Sequence, residues 1–251
     1  MRIVSLALAL SLLAGNLHAA HKLHRKDIRA PVPLPRGSLL VVGFLGGWED
    51  WDNDRRSVRK LALRLREKSL PGVYAETADN HSRKTVLKFI REALDRDRNK
   101  KISPEESSSC GFIFYGQSFG GAAAVKLARE ISQWHVPVRL TVQVDSVGKD
   151  DDEIPPNVAR ALNLYQRDPG PIQGERRIKA ADPAKTRILG NVPFTYLFRD
   201  VDMSDYPKAA RKLPFSHFKM DNDPVVWSIV ESAILAEITA WQAGRLFPDS
   251  K

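Results

Sequence analysis

Cysteine occurs once in these 251 residues, at Cys110, so no disulfide can form within the chain and the fold must be held by core packing. Cys110 lies just before an apolar run, where a small buried thiol is expected. The apolar stretch near the start, residues 3–14, is shorter than the roughly 20 residues a membrane helix needs. No internal repeat or low-complexity tract is present, and no nucleic-acid-binding motif accompanies the basic residues. These gaps argue against a disulfide scaffold, a repeat array and a nucleic-acid partner. What remains is an ordinary globular composition, 43% hydrophobic and 27% charged.

The formal net charge is +9, but its cations (Arg55, Arg56, Arg59, Lys60, Arg64, Arg66 among them) are spread along helical sequence and mixed with acids. A solvated basic surface is expected, able to make peripheral contact with anionic surfaces. Arg2, the apolar stretch after it and Leu17-His18-Ala19-Ala20 predict a signal peptide over residues 1–20, cut after Ala19 or Ala20. The mature chain would then be secreted or periplasmic. Residues 21–37, basic and carrying Pro31, Pro33 and Pro35, read as an extended linker. Residues 38–247 read as one domain.

Within that domain apolar and amphipathic stretches alternate. Residues 38–45 form a continuous apolar run, the mark of a strand buried on both faces. Asp52 is placed to cap a helix with Val58, Leu61, Ala62 and Leu65 on one face. Further strands are expected at residues 73–77, 111–115, 138–144 and 194–198, with helices at 82–94, 119–131 and 224–241. Residues 149–185 read as an irregular insertion after the fourth strand, with one helical stretch at 158–165. The alternation predicts an α/β fold with a mainly parallel sheet covered by helices on both faces.

One motif carries chemistry. Gly116-Gln117-Ser118-Phe119-Gly120 falls where a strand meets a helix. A serine nucleophile needs a sharp turn that lifts its hydroxyl clear of the sheet, and the flanking glycines let strand and helix approach. Of six histidines, His217 follows the last strand and precedes the closing helix, where the base belongs; His81 reads as a helix-start residue. Asp145 ends a strand at the same sheet edge and is the candidate acid, with Asp200 and Asp202 as rivals. Oxyanion donors are expected from the backbone N–H of Phe119 and of Phe44 or Leu45.

Together with Val41-Val42-Gly43-Phe44-Leu45-Gly46-Gly47, the elbow and His217 with Asp221 behind it, the chain resembles the lipase and esterase branch of the α/β-hydrolase superfamily. The stretches Val144-Asp145-Ser146-Val147, Ile154-Pro155-Pro156-Asn157-Val158 and Asn163-Leu164-Tyr165-Gln166 are similar to exported bacterial members of that branch. Val42 and Gln117 stand where lipases often carry histidine. The resemblance implies hydrolysis of an ester, thioester or amide, lipid esters included, through an acyl-enzyme and with no organic cofactor. Two other readings use the same fold: a non-catalytic protein that binds an anionic partner, and an acyltransferase.

A second motif is separate. Residues 95–106 have the spacing of a calcium loop, with Asp95, Asp97 and Asn99 offering side-chain oxygens, Lys101 a carbonyl and Glu106 a carboxylate. Lys100 stands at the glycine position of such loops. A structural calcium ion is the cofactor expectation.

Overall fold

The structure is a computed structural model describing residues 21–207, 211 and 215–246; the expected signal peptide lies outside the described residues. Its centre is a six-stranded parallel sheet. The strands are β1 (Leu39–Leu45), β2 (Val73–Asp79), β3 (Gly111–Gln117), β4 (Val138–Val144), β6 (Val158–Gln166) and β8 (Arg187–Phe194). They lie in the order β2-β1-β3-β4-β6-β8, and a two-stranded parallel ribbon of β5 (Glu153–Ile154) and β7 (Lys179–Ala180) stands apart.

Every residue of β1 and β3 is buried, as strands covered on both faces require. Side chains alternate across β1. Leu40, Val42 and Phe44 pack with α2 (Arg83–Leu94) and α4 (Phe119–Ile131), while Leu39, Val41 and Leu45 pack with α1 (Ser57–Glu67) and the closing helix α6 (Pro224–Leu246). A four-residue helix α3 (Pro104–Ser107) leads into β3, and α5 (Ser216–Asn222) precedes α6. By length and composition α6 could cross a membrane, but Val226, Trp227, Val230, Ile234 and Ile238 are packed against the sheet. It is a core helix.

Several expectations are corrected here. Residues 158–165 are not helical: β6 lies between β4 and β8, with Ala161 to Leu164 buried in succession. Helix-forming alanine and leucine gave the segment a helical look, and burial on both faces overrides that propensity. The irregular chain is therefore split by β6 rather than forming a single insertion over 149–185. The last strand is Arg187–Phe194, ahead of the expected 194–198. Asp52 does not cap α1, which begins after Arg56, because residues 47–56 instead form turns beside a cavity.

The expected linker is part of the domain. Leu23, Ile28, Ala30 and Leu34 are buried in the core on the α2 face, where each larger side chain contributes roughly 1.5–3 kcal/mol. Glu76 accepts the N–H groups of Arg29 (2.9 Å) and Ala30 (2.8 Å), and Leu34 N–H donates to Ala93 (3.0 Å). One cation of α1 also leaves the solvated face, and a second does so in part. Arg59 is buried, donating to Asp54 (3.0 Å) and Thr77 (2.8 Å), and Arg66 donates to Glu76 (2.7 Å). Cys110 is buried, as expected.

The junction of β3 and α4 is the tightest place in the fold. A Cβ at Gly120 would overlap the Phe44 carbonyl, and one at Gly116 would overlap the backbone of Gly120. Both obstacles are main chain and cannot swing aside. Gly120→Ala is expected to lower stability by about 3 kcal/mol or more in urea unfolding, where an ordinary glycine-to-alanine change inside a helix stabilises.

Candidate active site

Ser118 sits between β3 and α4 with φ 57° and ψ −129°, a conformation costing a side-chain-bearing residue about 1–3 kcal/mol. The surroundings hold it there. Its N–H donates to Val144 (3.0 Å), and its carbonyl accepts from Gly121 (3.0 Å) and Val147 (3.2 Å). The strained turn is thus tied to both α4 and the end of β4, and Ser118 lines a cavity of about 560 Å³.

His217, on α5, lines the same cavity. Its Nδ1 lies 2.7 Å from Asp145 Oδ2, and both residues are buried. Asp145 follows β4 with φ 43°, turned so that four groups converge on its carboxylate. Oδ1 accepts from the N–H of Gln166 (3.1 Å) and Gly174 (2.9 Å), while Oδ2 accepts from Gln166 Nε2 (2.8 Å) as well as His217. A fully buried carboxylate is tolerable only when satisfied in this way. With Nδ1–H donating to Asp145, the Nε2 lone pair faces the Gln117 amide at 3.2 Å. This is the tautomer a general base needs.

The rivals lie elsewhere. Asp200 and Asp202 are exposed, and Asp202 accepts from the N–H (2.8 Å) and hydroxyl (2.9 Å) of Ser204. His81 is exposed in the turn after β2, its N–H donating to Asp79 (3.1 Å). Of the expected oxyanion donors, Phe119 opens α4, where the first N–H groups of a helix have no intrahelical acceptor. Phe44 and Leu45 lie at the end of β1, and the cavity wall begins just beyond them with Gly46, Gly47 and Trp48. A Cβ at Gly46 would come within 2.8 Å of Ser118 Cβ, so this turn presses directly on the serine.

Two buried clusters were not anticipated. Asp168, beyond the end of β6, accepts from Thr195 Oγ1 (2.7 Å), Tyr196 N–H (2.6 Å) and Ser216 Oγ (2.6 Å). Burial alone raises its pKa, but the hydrogen bonds from Ser216, Thr195 and Tyr196 outweigh it and hold the carboxyl below its ordinary range. Asp168 thereby fixes the start of the helix that carries His217. The second cluster walls the cavity. The Arg56 guanidinium pairs with Glu49 and lies 3.7 Å from the Tyr206 ring centroid, and Tyr206 Oη donates to Asp221 (2.8 Å). Burial pushes the carboxyls of Asp221 and Glu49 upward, and Glu49 reaches about 7 despite Arg56. A lone Glu49 or Arg56 in a polar turn carries no sequence signal of this.

In the acidic loop, carboxylate oxygens of Asp95, Asp97 and Glu106 lie within 4.8 Å of one another. Lys100 is left-handed there at φ 66°, as its position in a calcium loop requires. The Asn99 amide nitrogen donates to Asp97 (2.7 Å), and Glu106 accepts the N–H groups of Arg96 (2.7 Å) and Ser103 (2.9 Å). The donor set is hard oxygen, which suits calcium. The carbonyl of Lys101 would complete it.

A parallel sheet covered on both faces, with the serine on the turn that follows its third strand in sequence, decides the architecture. It is an α/β-hydrolase fold. No protein-family model matches the chain, and no curated protein matches it in sequence. Among solved structures, it is similar to a dienelactone hydrolase-like promiscuous phosphotriesterase from metagenomic libraries. Their identity is 16% over 84% of this chain and 88% of the other, with a TM-score of 0.42. Values this low carry neither a substrate nor a family membership across.

Glu49 generates a prediction. Its folded pKa lies above the ordinary carboxylate value, so the folded state holds the proton more tightly, and stability falls as pH rises between about 4.5 and 7. Glu49→Gln removes that term. The variant should gain on the parent by no more than about 3 kcal/mol in urea unfolding between pH 4.5 and pH 8, a ceiling lowered by the side chain's 23% exposure.

Proposed function

We propose that this protein is an exported serine hydrolase that cleaves an ester through an acyl-enzyme. The supporting observation is the placement of a strained Ser118 and the Asp145-bound His217 on one cavity. Ser118 Oγ attacks the acyl carbon, and its proton passes to His217 Nε2. Asp145 keeps Nδ1 protonated and offsets the charge of the imidazolium. The tetrahedral oxyanion is received by the N–H of Phe119, at the positive end of α4, and by the turn at Gly46 and Gly47. His217 then returns the proton to the leaving oxygen, and water attacks the acyl-enzyme by the same route in reverse.

In the resting site the Gln117 amide holds Nε2 at 3.2 Å. The proposed chemistry requires Nε2 to exchange that contact for Ser118 Oγ when substrate binds. No organic cofactor takes part in these steps.

Aryl esters of graded acyl length test the reading. Turnover should fall at least about 10³-fold in Ser118→Ala, and by a similar order in Asp145→Asn. If no ester in the series is turned over above the Ser118→Ala background, the hydrolase reading fails. An added alcohol that collects most of the acyl group would make the protein an acyltransferase instead.

We also assign calcium to the loop of Asp95, Asp97, Asn99, Lys101 and Glu106, with the structural role of pinning the lead into β3. Calorimetric titration at millimolar calcium should register uptake that Glu106→Gln abolishes. A titration without heat in the parent protein removes the assignment.

A further inference from the structure

Beside the candidate active site, the lip of the sheet joins exposed apolar tips to cations. Phe198 is fully exposed at 101% and its neighbour Leu197 is 58% exposed, in the turn that follows β8. Val225, 48% exposed at the start of α6, is close by, because Asp223 Oδ1 accepts both Arg199 Nη2 (2.7 Å) and Val225 N–H (2.9 Å). Leu197 and Phe198 thus project from one turn, and Val225 is exposed on the segment to which Arg199 is tied. Exposed apolar residues are common singly, whereas a cluster on a projecting turn calls for a nonpolar medium.

Cations surround this cluster. Arg167 and Arg176 line a groove of about 380 Å³ that also includes Thr195, two residues before Leu197. Both are exposed, and neither is in an ion pair among the described residues. Lys219 lies on the other side, its Nζ donating to the carbonyls of Tyr196 (3.3 Å) and Arg199 (3.2 Å). Of the acids nearby, Asp168 accepts three internal hydrogen bonds and Asp223 serves Tyr196 Oη (2.8 Å) and Arg199, while Glu175 is within electrostatic reach of Arg167 and Asp200 is exposed. Asp168 also ties this lip to Ser216, so the patch is anchored one residue from His217.

We propose that this lip is a docking surface for an anionic lipid bilayer. Leu197, Phe198 and Val225 enter the boundary between headgroups and acyl chains, while Arg167, Arg176 and Lys219 meet the phosphates. A bilayer supplies a nonpolar layer and a plane of negative charge at the depths these two sets of side chains reach. The net charge of +9 draws the protein toward such a surface from a distance, and the lip sets which face lands.

The test reads binding, so it stands whether or not the protein hydrolyses esters. The mature chain, starting at residue 21, is sedimented with vesicles of phosphatidylcholine alone and of phosphatidylcholine with phosphatidylglycerol. Binding is expected to the anionic vesicles and to weaken as salt is raised. The double variant Leu197→Ser with Phe198→Ser should bind at least about tenfold more weakly. Arg167→Gln with Arg176→Gln should lose about tenfold or more, at roughly fivefold for each charge. All four side chains are exposed, so circular dichroism of both variants should match the parent. Absence of binding to anionic vesicles overturns the proposal, and so does binding that the two double variants leave unchanged.

Discussion

The structure depends on how closely α4 is allowed to approach β1 and β3. Where they meet, main chain touches main chain, and the only residues that fit at Gly116 and Gly120 are those without a side chain. That contact makes the turn at Ser118 sharp, and the sharpness forces the serine into positive φ. Such strain persists only where the surroundings over-determine it. Here the bonds to Val144, Gly121 and Val147 do so, and they also lock the elbow to the next strand. Stability stored in a well-packed sheet is thereby used to present one hydroxyl at a cavity.

Two buried aspartates extend that rigidity to parts of the chain far away in sequence. Asp145 holds His217 against the ends of β4 and β6 through Gln166 and Gly174. Asp168 stitches the end of β6 to the turn after β8 and to the start of α5. Each would be costly if left unsatisfied, and each is surrounded by donors. The imidazole is thus positioned by backbone and side chains from separate loops, all of which converge at one edge of the sheet. The Glu49–Arg56–Tyr206–Asp221 cluster forms a polar wall beside it, with fewer donors and a carboxyl that burial leaves close to neutrality.

Much of this was legible in the sequence because it rests on local rules. The run of buried residues in β1, the glycines around Ser118 and the position of His217 before the closing helix each carry a short-range signal. Asp145 was distinguishable from Asp200 and Asp202 by its place at a strand end, and the hydrogen bond to His217 follows that placement. Lys100 adopts the left-handed conformation that its place in the acidic loop required. The features that escaped are non-local. β6 resembles a helix until β4 and β8 flank it, and residues 21–37 resemble a linker until Leu23, Ile28 and Leu34 find a hydrophobic face. Likewise, Arg56 and Arg59 look like surface charge because Tyr206 and Thr77, which meet their guanidinium groups, come from other segments.

The central claim is that Ser118 is made nucleophilic by an imidazole that Asp145 holds in place. Reaction with a fluorophosphonate, followed by tandem mass spectrometry of the peptides, tests it most directly, because it needs no knowledge of the natural substrate. The account predicts a single phosphonylated residue, Ser118, with a labelling rate at least about 100-fold slower in His217→Gln. An unlabelled protein, or a label on Ser118 whose rate ignores the loss of His217, would contradict it.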